Sequence, residues 1–345
     1  MIQRQLKFRH LIGKITRRSI FSDTGVLLLP SNTILTLENI NQLLIHGVNI
    51  IEIELATTNE EKKVRLSVHD TAIDNTVTEL REIFEEVKEV NKVPLADLRK
   101  NVIPIIQQIV DETNLNGLLL TMQTKDDYTY RHNIAVSAIS GLIGRWMGLN
   151  QKELSQLTTA AVLHDVGKLF VPGEILNKPG KLTDDEFEQI KKHTIYGYET
   201  IKNTVGLNHR QALVALQHHE RLDGSGYPFG VTKDKIDLFS RIVAVADVFH
   251  AMTSNRVYRN ASPFYEVLSL LNRESFESFD PLITRVFSEN IMNSLIGHSV
   301  KLVSGQKGKI IYIPKNNPLY PIVQVDNKFI DLSKHTDLKI KKVIQ

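Results

Sequence analysis

The spacing of hydrophobic residues changes several times along the chain. Up to about residue 73 the runs are short: 25–30 and 48–53 read as strands, and 36–44 as a helix with capping residues ahead of it and Gly47 as its stop. From about Asn75 to Thr121 the period is helical, through Leu80, Ile83, Phe84 and Val87, then Leu95, Leu98, Val102, Ile105, Ile106 and Ile109. Pro94 suits a helix start, and Pro104 predicts a kink because it lacks a donor and crowds the preceding turn. Helical patterns continue over 130–147, 151–164, 184–203, 209–221, 240–253, 263–271 and 281–296. After Gly297 the texture becomes strand-like over 300–303, 309–313, 322–325 and 339–344, with glycines, prolines and an Asp326-Asn327 turn between.

The pattern predicts a mainly α protein in four parts. These are a small α+β module (1–73), a helical connector (74–122) expected to pack on the next domain, a helical domain (123–296) and a small β-rich module (297–345).

Composition narrows the function. With 42% hydrophobic and 23% charged residues, the 345-residue chain is ordinary globular protein. Lys plus Arg at 42 against Asp plus Glu at 39 gives +3, too little for a dedicated binder of nucleic acid polymers. Cysteine is absent, which excludes disulfides, thiolate zinc sites and cysteine nucleophiles, and leaves nitrogen and oxygen donors for any metal. Basic residues interrupt the first 20 positions, and no run approaches the roughly 20 apolar residues of a membrane span, so a soluble cytoplasmic protein is expected.

Seven of the 12 histidines fall between His132 and His250, in telling company: His132, His164-Asp165 with Lys168, His193, His218-His219-Glu220, and Asp247. Imidazoles and carboxylates on separate helices are what a polynuclear site for a first-row divalent metal requires, since each ion collects four to six such donors. Asp165, at the end of the apolar stretch 160–163, is the natural bridge between two ions. The pair His69-Asp70 has no companions in its module.

The stretch His164-Asp165-Val166-Gly167-Lys168, then His193, then the run from His218-His219-Glu220 through Gly226-Tyr227-Pro228 closely resembles the HD-GYP family of bacterial cyclic di-GMP phosphodiesterases. Tyr128 to His132, Leu176 to Gly180 and Ala244 to Arg259 support the match, which covers about 125–285. The resemblance implies a helical HD-superfamily phosphohydrolase domain with two divalent ions, iron or manganese first, zinc, nickel or cobalt next. One ion is expected on His132, His164, Asp165 and Asp247, the other on Asp165, His193, His218 and His219. Some relatives hold a third ion through a Glu at the position of Tyr128, so two are expected here.

The implied reaction is hydrolysis of cyclic di-GMP to pGpG, with or without a second step to GMP, by a hydroxide bridging two cations about 3.5–4 Å apart. Lys168 is expected to orient that hydroxide or neutralise charge on the phosphorus, beside the catalytic Asp165. Tyr227 is a candidate for contact with the guanine or ribose, and Arg256, with Arg259 second to it, for bidentate contact with a phosphate. One departure stands out: His250 occupies a position where the family commonly has Asp, on nearly the face of Asp247. The alternatives are a cyclic-dinucleotide sensor or interaction module with little turnover, and a hydrolase of another cyclic dinucleotide. A homodimer is compatible with the accessory modules, and their lysines 301, 307, 309 and 315 are read as a solvated face.

Overall fold

A computed structural model describes residues 8–22, 27–30, 33–50, 53–55, 58–112, 128–254, 261–335 and 338–344. The chain divides into two compact units, Met1–Ala72 and Ile73–Gln345.

In the first unit Thr36 starts helix α1 (Leu37–Ile45): its hydroxyl accepts the Asn39 N–H, and the Asn39 side chain accepts the Thr36 N–H. Ile40 and Leu43 then face a small core with Leu11, Leu28, Leu29, Leu35 and Ile50. Strand β1 (Ile20–Phe21) pairs antiparallel with β2 (Leu27–Leu29). The expectation of a strand over 48–53 is corrected: none of its described residues is extended in a ladder, and 51–52 lie outside the described residues. Ile50 is buried by packing instead, while Ile15 and Thr16 make isolated bridges to Ile34 and Leu55. An apolar run alone does not distinguish a strand from a packed loop.

Helix α2 (Thr58–Val90) starts well before residue 75. Its first turns are charged, Glu60-Glu61-Lys62-Lys63, and carry no apolar period from which to read a helix. From Ile73 onward its apolar face joins the core of the second unit. Leu95–Asp97 begins the next helical stretch; Leu98–Val102 widens to π-helix before α3 (Ile103–Glu112). That local widening accommodates Pro104, whose ring cannot fit an ordinary α-turn. Thr204 Oγ1 accepts the Val93 N–H at 2.9 Å, and Arg99 donates to the Gly206 carbonyl at 3.0 Å, which ties these helices to the bundle.

The bundle comprises α4 (Tyr128–Trp146), α5 (Gln151–Val162), a 3-10 segment Val166–Phe170, α6 (Asp184–Lys191), α7 (His193–Lys202), α8 (His209–Gln217), α9 (Leu238–Thr253), α10 (Phe264–Arg273) and α11 (Pro281–Ser294). Asn150, Thr183 and Asn208 close capping boxes with Glu153, Glu186 and Gln211, fixing the starts of α5, α6 and α8. α4 and α9 are buried on most of their surfaces. The expected helix 184–203 is two helices meeting at Lys192, a break with a functional cause given below.

An open antiparallel sheet in the order β6-β5-β4-β3-β7 completes the unit: β3 (Ser299–Leu302), β4 (Lys307–Tyr312), β5 (Ile322–Val325), β6 (Lys328–Asp331) and β7 (Ile340–Ile344). Its inward residues Val300, Leu302, Ile310, Val323, Val325 and Ile340 share the bundle's core. Strand β6 was not expected: its inner and outer positions show no clean alternation, and Phe329 faces solvent. Asp326, with φ at +52°, makes the tight turn that returns β6 onto β5. The fold class is as the sequence suggests, mainly α with small strands at the start and a β-rich end.

Candidate metal centre

The predicted ligands arrive from five places in the bundle. His132 lies in the second turn of α4, His164 and Asp165 in the turn leaving α5, and His193 at the first position of α7. His218 caps α8, His219 follows it, and Asp247 sits in mid α9. All but His219 are nearly inaccessible, Asp165 at 2% exposed and His164, His193 and His218 at 0%. Ligand atoms of Asp165, His193, His218 and His219 lie within 4.8 Å of one another, as do those of His132, His164 and Asp165. Asp247 touches both groups: its Oδ1 is 3.1 Å from His132 Nε2 and its Oδ2 is 4.0 Å from His219 Nδ1.

Hydrogen bonds behind the rings fix their tautomers. Nδ1 of His164 lies 2.7 Å from the Ala161 carbonyl, Nδ1 of His193 2.7 Å from that of Ile190, and Nδ1 of His218 3.0 Å from that of Ala215. A carbonyl only accepts, so each Nδ1 carries the hydrogen and each neutral ring turns an Nε2 lone pair inward. The break at Lys192 follows from this arrangement: the Ile190 carbonyl bonds the His193 side chain as α6 ends and α7 begins.

Those lone pairs face Asp165. Its Oδ1 is 3.4 Å from His193 Nε2 and 3.7 Å from His218 Nε2, its Oδ2 3.4 Å from His164 Nε2, and His193 and His218 Nε2 are themselves 3.4 Å apart. His164 Nε2 and Asp165 Oδ1 are buried with no hydrogen-bond partner. Leaving such atoms unpaired costs about 1–3 kcal/mol each. A cation bound among them removes that cost, so the donor set fits a divalent metal with nitrogen and oxygen preferences.

Electrostatics agree with that reading. Burial alone would raise the Asp165 carboxyl, but Lys168 and His164 overcome it and hold the group well below its ordinary range. Asp247 behaves likewise, with His132 reversing the effect of burial. Burial lowers His132, His218 and His219, and brings His193 down to about 3. His164 goes the other way: desolvation is the largest single effect on it, but Asp165 and Asp247 together outweigh it and raise the ring. Mostly neutral imidazoles around two ionised carboxylates are ligands ready for a metal.

Lys168 reaches Asp165 Oδ2 at 2.5 Å from the 3-10 segment and remains partly exposed on its outer side. The loop 223–228 lies against the same centre. Tyr227 stacks on His219 with ring centroids 4.6 Å apart, and its hydroxyl is raised by burial. Glu220, adjacent to two ligands in sequence, is not among these groups: Oε1 accepts the Phe229 N–H at 2.9 Å and Oε2 the Val231 N–H at 3.1 Å, so the carboxylate braces the loop. Sequence reasoning missed that role, as it missed Arg221, which donates to the Glu220 and His218 carbonyls and lies over Phe279. Gly226 approaches the His219–Arg221 backbone so closely that a Cβ there would meet three backbone atoms at 2.4 Å. Arg256 and Arg259 lie outside the described residues.

His250 is buried against His132, their Nδ1 atoms 2.9 Å apart, and its Nε2 is 3.0 Å from Ser254 Oγ. Tyr128 stacks on His132 with centroids 5.5 Å apart, and its ring lies 6.4 Å from that of His250.

Helices deliver a His-Asp pair and four further imidazoles to one buried point, and residues 116–283, which carry them, match the model of the HD domain family. The chain is 37% identical over 207 residues to the cyclic di-GMP phosphodiesterase PA4108 of Pseudomonas aeruginosa, covering 60% of this chain and 50% of that protein. It is 38% identical over 198 residues to the 3'3'-cGAMP-specific phosphodiesterase 1 of Vibrio cholerae, covering 55% and 44%. The chain thus spans about half the length of the curated relatives it matches. Bd1817 of Bdellovibrio bacteriovorus, described as an HDG"Y"P protein, has a similar fold, with a TM-score of 0.50 at 17% identity over 80% of this chain and 93% of that one. The resemblance read from the His-Asp and Gly-Tyr-Pro motifs is borne out. Among the described residues no helix is long and apolar enough to cross a membrane.

Proposed function

We propose that the chain is a metal-dependent phosphodiesterase that hydrolyses cyclic di-GMP to pGpG. The observation that carries this reading is the buried Asp165, whose two oxygens are approached by four imidazole Nε2 atoms and an ammonium. His132, His164, Asp165 and Asp247 would hold one divalent ion, and Asp165, His193, His218 and His219 a second, with iron or manganese suited to this mix of donors. When bound, such ions supply Lewis acidity toward a phosphodiester oxygen and toward water.

The protein's own groups do the rest. Backbone carbonyls hold His164, His193 and His218 in the tautomer that presents Nε2. Lys168 keeps Asp165 ionised and places a positive charge at the rim, where a phosphate dianion equivalent gathers charge as it reacts. Tyr227, stacked on His219 and held by the loop that Glu220 braces, forms a wall suited to a nucleobase or ribose. Arg256 is proposed as a phosphate contact.

The test is incubation of purified protein, loaded anaerobically with manganese or ferrous iron, with cyclic di-GMP and separately with 3'3'-cGAMP. Linear pGpG from cyclic di-GMP is expected. Faster turnover of 3'3'-cGAMP would favour the second substrate, a reading supported by similarity to the 3'3'-cGAMP-specific phosphodiesterase 1 of Vibrio cholerae. No linear product from either would overturn the proposal.

A further inference from the structure

His164, His193 and His218 each bond Nδ1 to a backbone carbonyl, which leaves those rings one neutral tautomer. His132 differs. Its Nδ1 faces not a carbonyl but Nδ1 of His250, and its Nε2 faces Asp247 Oδ1 at 3.1 Å. A ring nitrogen either donates or accepts, so the row Asp247, His132, His250, Ser254 is able to run in two directions. In one, Ser254 donates to His250 Nε2, His250 Nδ1–H to His132 Nδ1, and His132 Nε2–H to Asp247: every bond is made, and Nε2 has no lone pair for a metal. In the other, His132 donates from Nδ1 to His250 Nδ1, His250 donates from Nε2 to Ser254 Oγ at 3.0 Å, and His132 Nε2 is bare.

We propose that His250 is a positioning residue for the metal centre: by accepting the Nδ1–H of His132 and passing its own Nε2–H to Ser254, it selects the His132 tautomer that binds metal. The selection is conditional, because the same four residues form a complete row without metal. Binding at His132 reverses the row and forfeits the His132–Asp247 hydrogen bond, so the ion held by His132 and Asp247 is the weaker of the two. The inference rests on the two-ion reading above and concerns the geometry behind one ligand. Burial of His250 at 2% exposed, inside α9 and against Tyr128, keeps water from substituting in the row.

The experiment is competition of the full chain against a chromophoric chelator with manganese, and with zinc for spectroscopy, using wild type, His250→Ala and His250→Asp. A carboxylate only accepts, so His250→Asp fixes His132 in the Nδ1–H tautomer. The expected result is two classes of site in wild type. His250→Ala should weaken the weaker class by about 10- to 100-fold and leave the tighter one unchanged, and His250→Asp should restore it to wild-type affinity or better. In the zinc-loaded wild type, long-range nitrogen–proton NMR should show His132 protonated on Nδ1. Unchanged affinity in His250→Ala, equal loss from both classes, or failure of His250→Asp to rescue would overturn the inference, as would His132 protonated on Nε2. Wild type that binds no metal would overturn the two-ion reading itself, a distinct result. Unfolding of metal-free variants, followed by circular dichroism, separates loss of ligand geometry from loss of fold.

Discussion

Gly167 stands so close to the start of α7 that a Cβ added to it would lie 1.9 Å from the His193 carbonyl oxygen and 2.4 Å from the Gly197 N. The 3-10 segment carrying Lys168 therefore packs backbone to backbone on the helix that carries His193, and this contact sets the separation of Asp165 from His193 at 3.4 Å. Gly167→Ala should force the two apart. We expect a loss of about 1–3 kcal/mol or more of stability, together with loss of metal from the Asp165–His193 group. Metal content and urea unfolding of the variant check both, and a variant with unaltered metal content would refute the spacing role.

Glu220 offers a cleaner separation of ligand from brace. Both oxygens of its buried carboxylate accept loop N–H groups, from Phe229 and Val231. Glu220→Gln retains the shape but turns an NH2 toward one of those donors, at a cost of about 1–3 kcal/mol. Hydrogen exchange at Phe229 and Val231 should accelerate while metal stoichiometry stays at the wild-type value. A fall in stoichiometry would show Glu220 to be a ligand after all.

How far the site is legible in sequence depends on the kind of constraint. His164-Asp165, His193, His218-His219 and Asp247 are recognisable because metal coordination demands particular side chains, and few other roles call for that set together. Helices with capping boxes and apolar faces, such as α5 and α8, are legible for the same reason: local chemistry specifies them. The break at Lys192 is not legible, since its cause is the bond from His193 to the Ile190 carbonyl, and 184–203 otherwise reads as one helix. Glu220 has no assigned role in the sequence, and it becomes a brace only once the loop folds back over it. The partnership of His132 with His250 joins residues 118 apart in sequence, a distance over which no pattern of polar and apolar residues carries information.

Lys168 and Asp165 should separate by phenotype although they touch. Asp165→Asn removes the one carboxylate shared by both ligand groups, so metal should be lost and turnover with it. Lys168→Met leaves every expected ligand in place. It should retain metal, lower kcat by about 100- to 1,000-fold as expected for loss of a group that stabilises developing charge, and leave the fold intact because Lys168 is partly exposed. Steady-state kinetics with elemental analysis of each variant decide the matter. Metal loss in Lys168→Met would mean that the lysine acts mainly by keeping Asp165 ionised.

Acid should destabilise the metal-free protein before its carboxylates titrate. His193, desolvated by burial, is protonated in the folded state only near about 3, whereas an unfolded histidine takes its proton near about 6.5. Between those values the unfolded chain binds a proton that the folded ring does not, so stability falls as the pH is lowered through that window. His132, His218 and His219 are lowered by burial and act in the same sense. His164 is raised, despite desolvation, by Asp165; its contribution is complete below about 6.5 and fades as the pH climbs through its folded value, in opposition to the other four. Asp165 and Asp247, held well below the ordinary range against desolvation, add stability above about 3.9 that disappears further down. Four rings outweigh one, so urea midpoints measured with a chelator present should be lower at pH 5 than at pH 7. Equal midpoints, or a higher one at pH 5, would mean that these imidazoles are not neutral in the folded protein and that the centre is not prepared for metal.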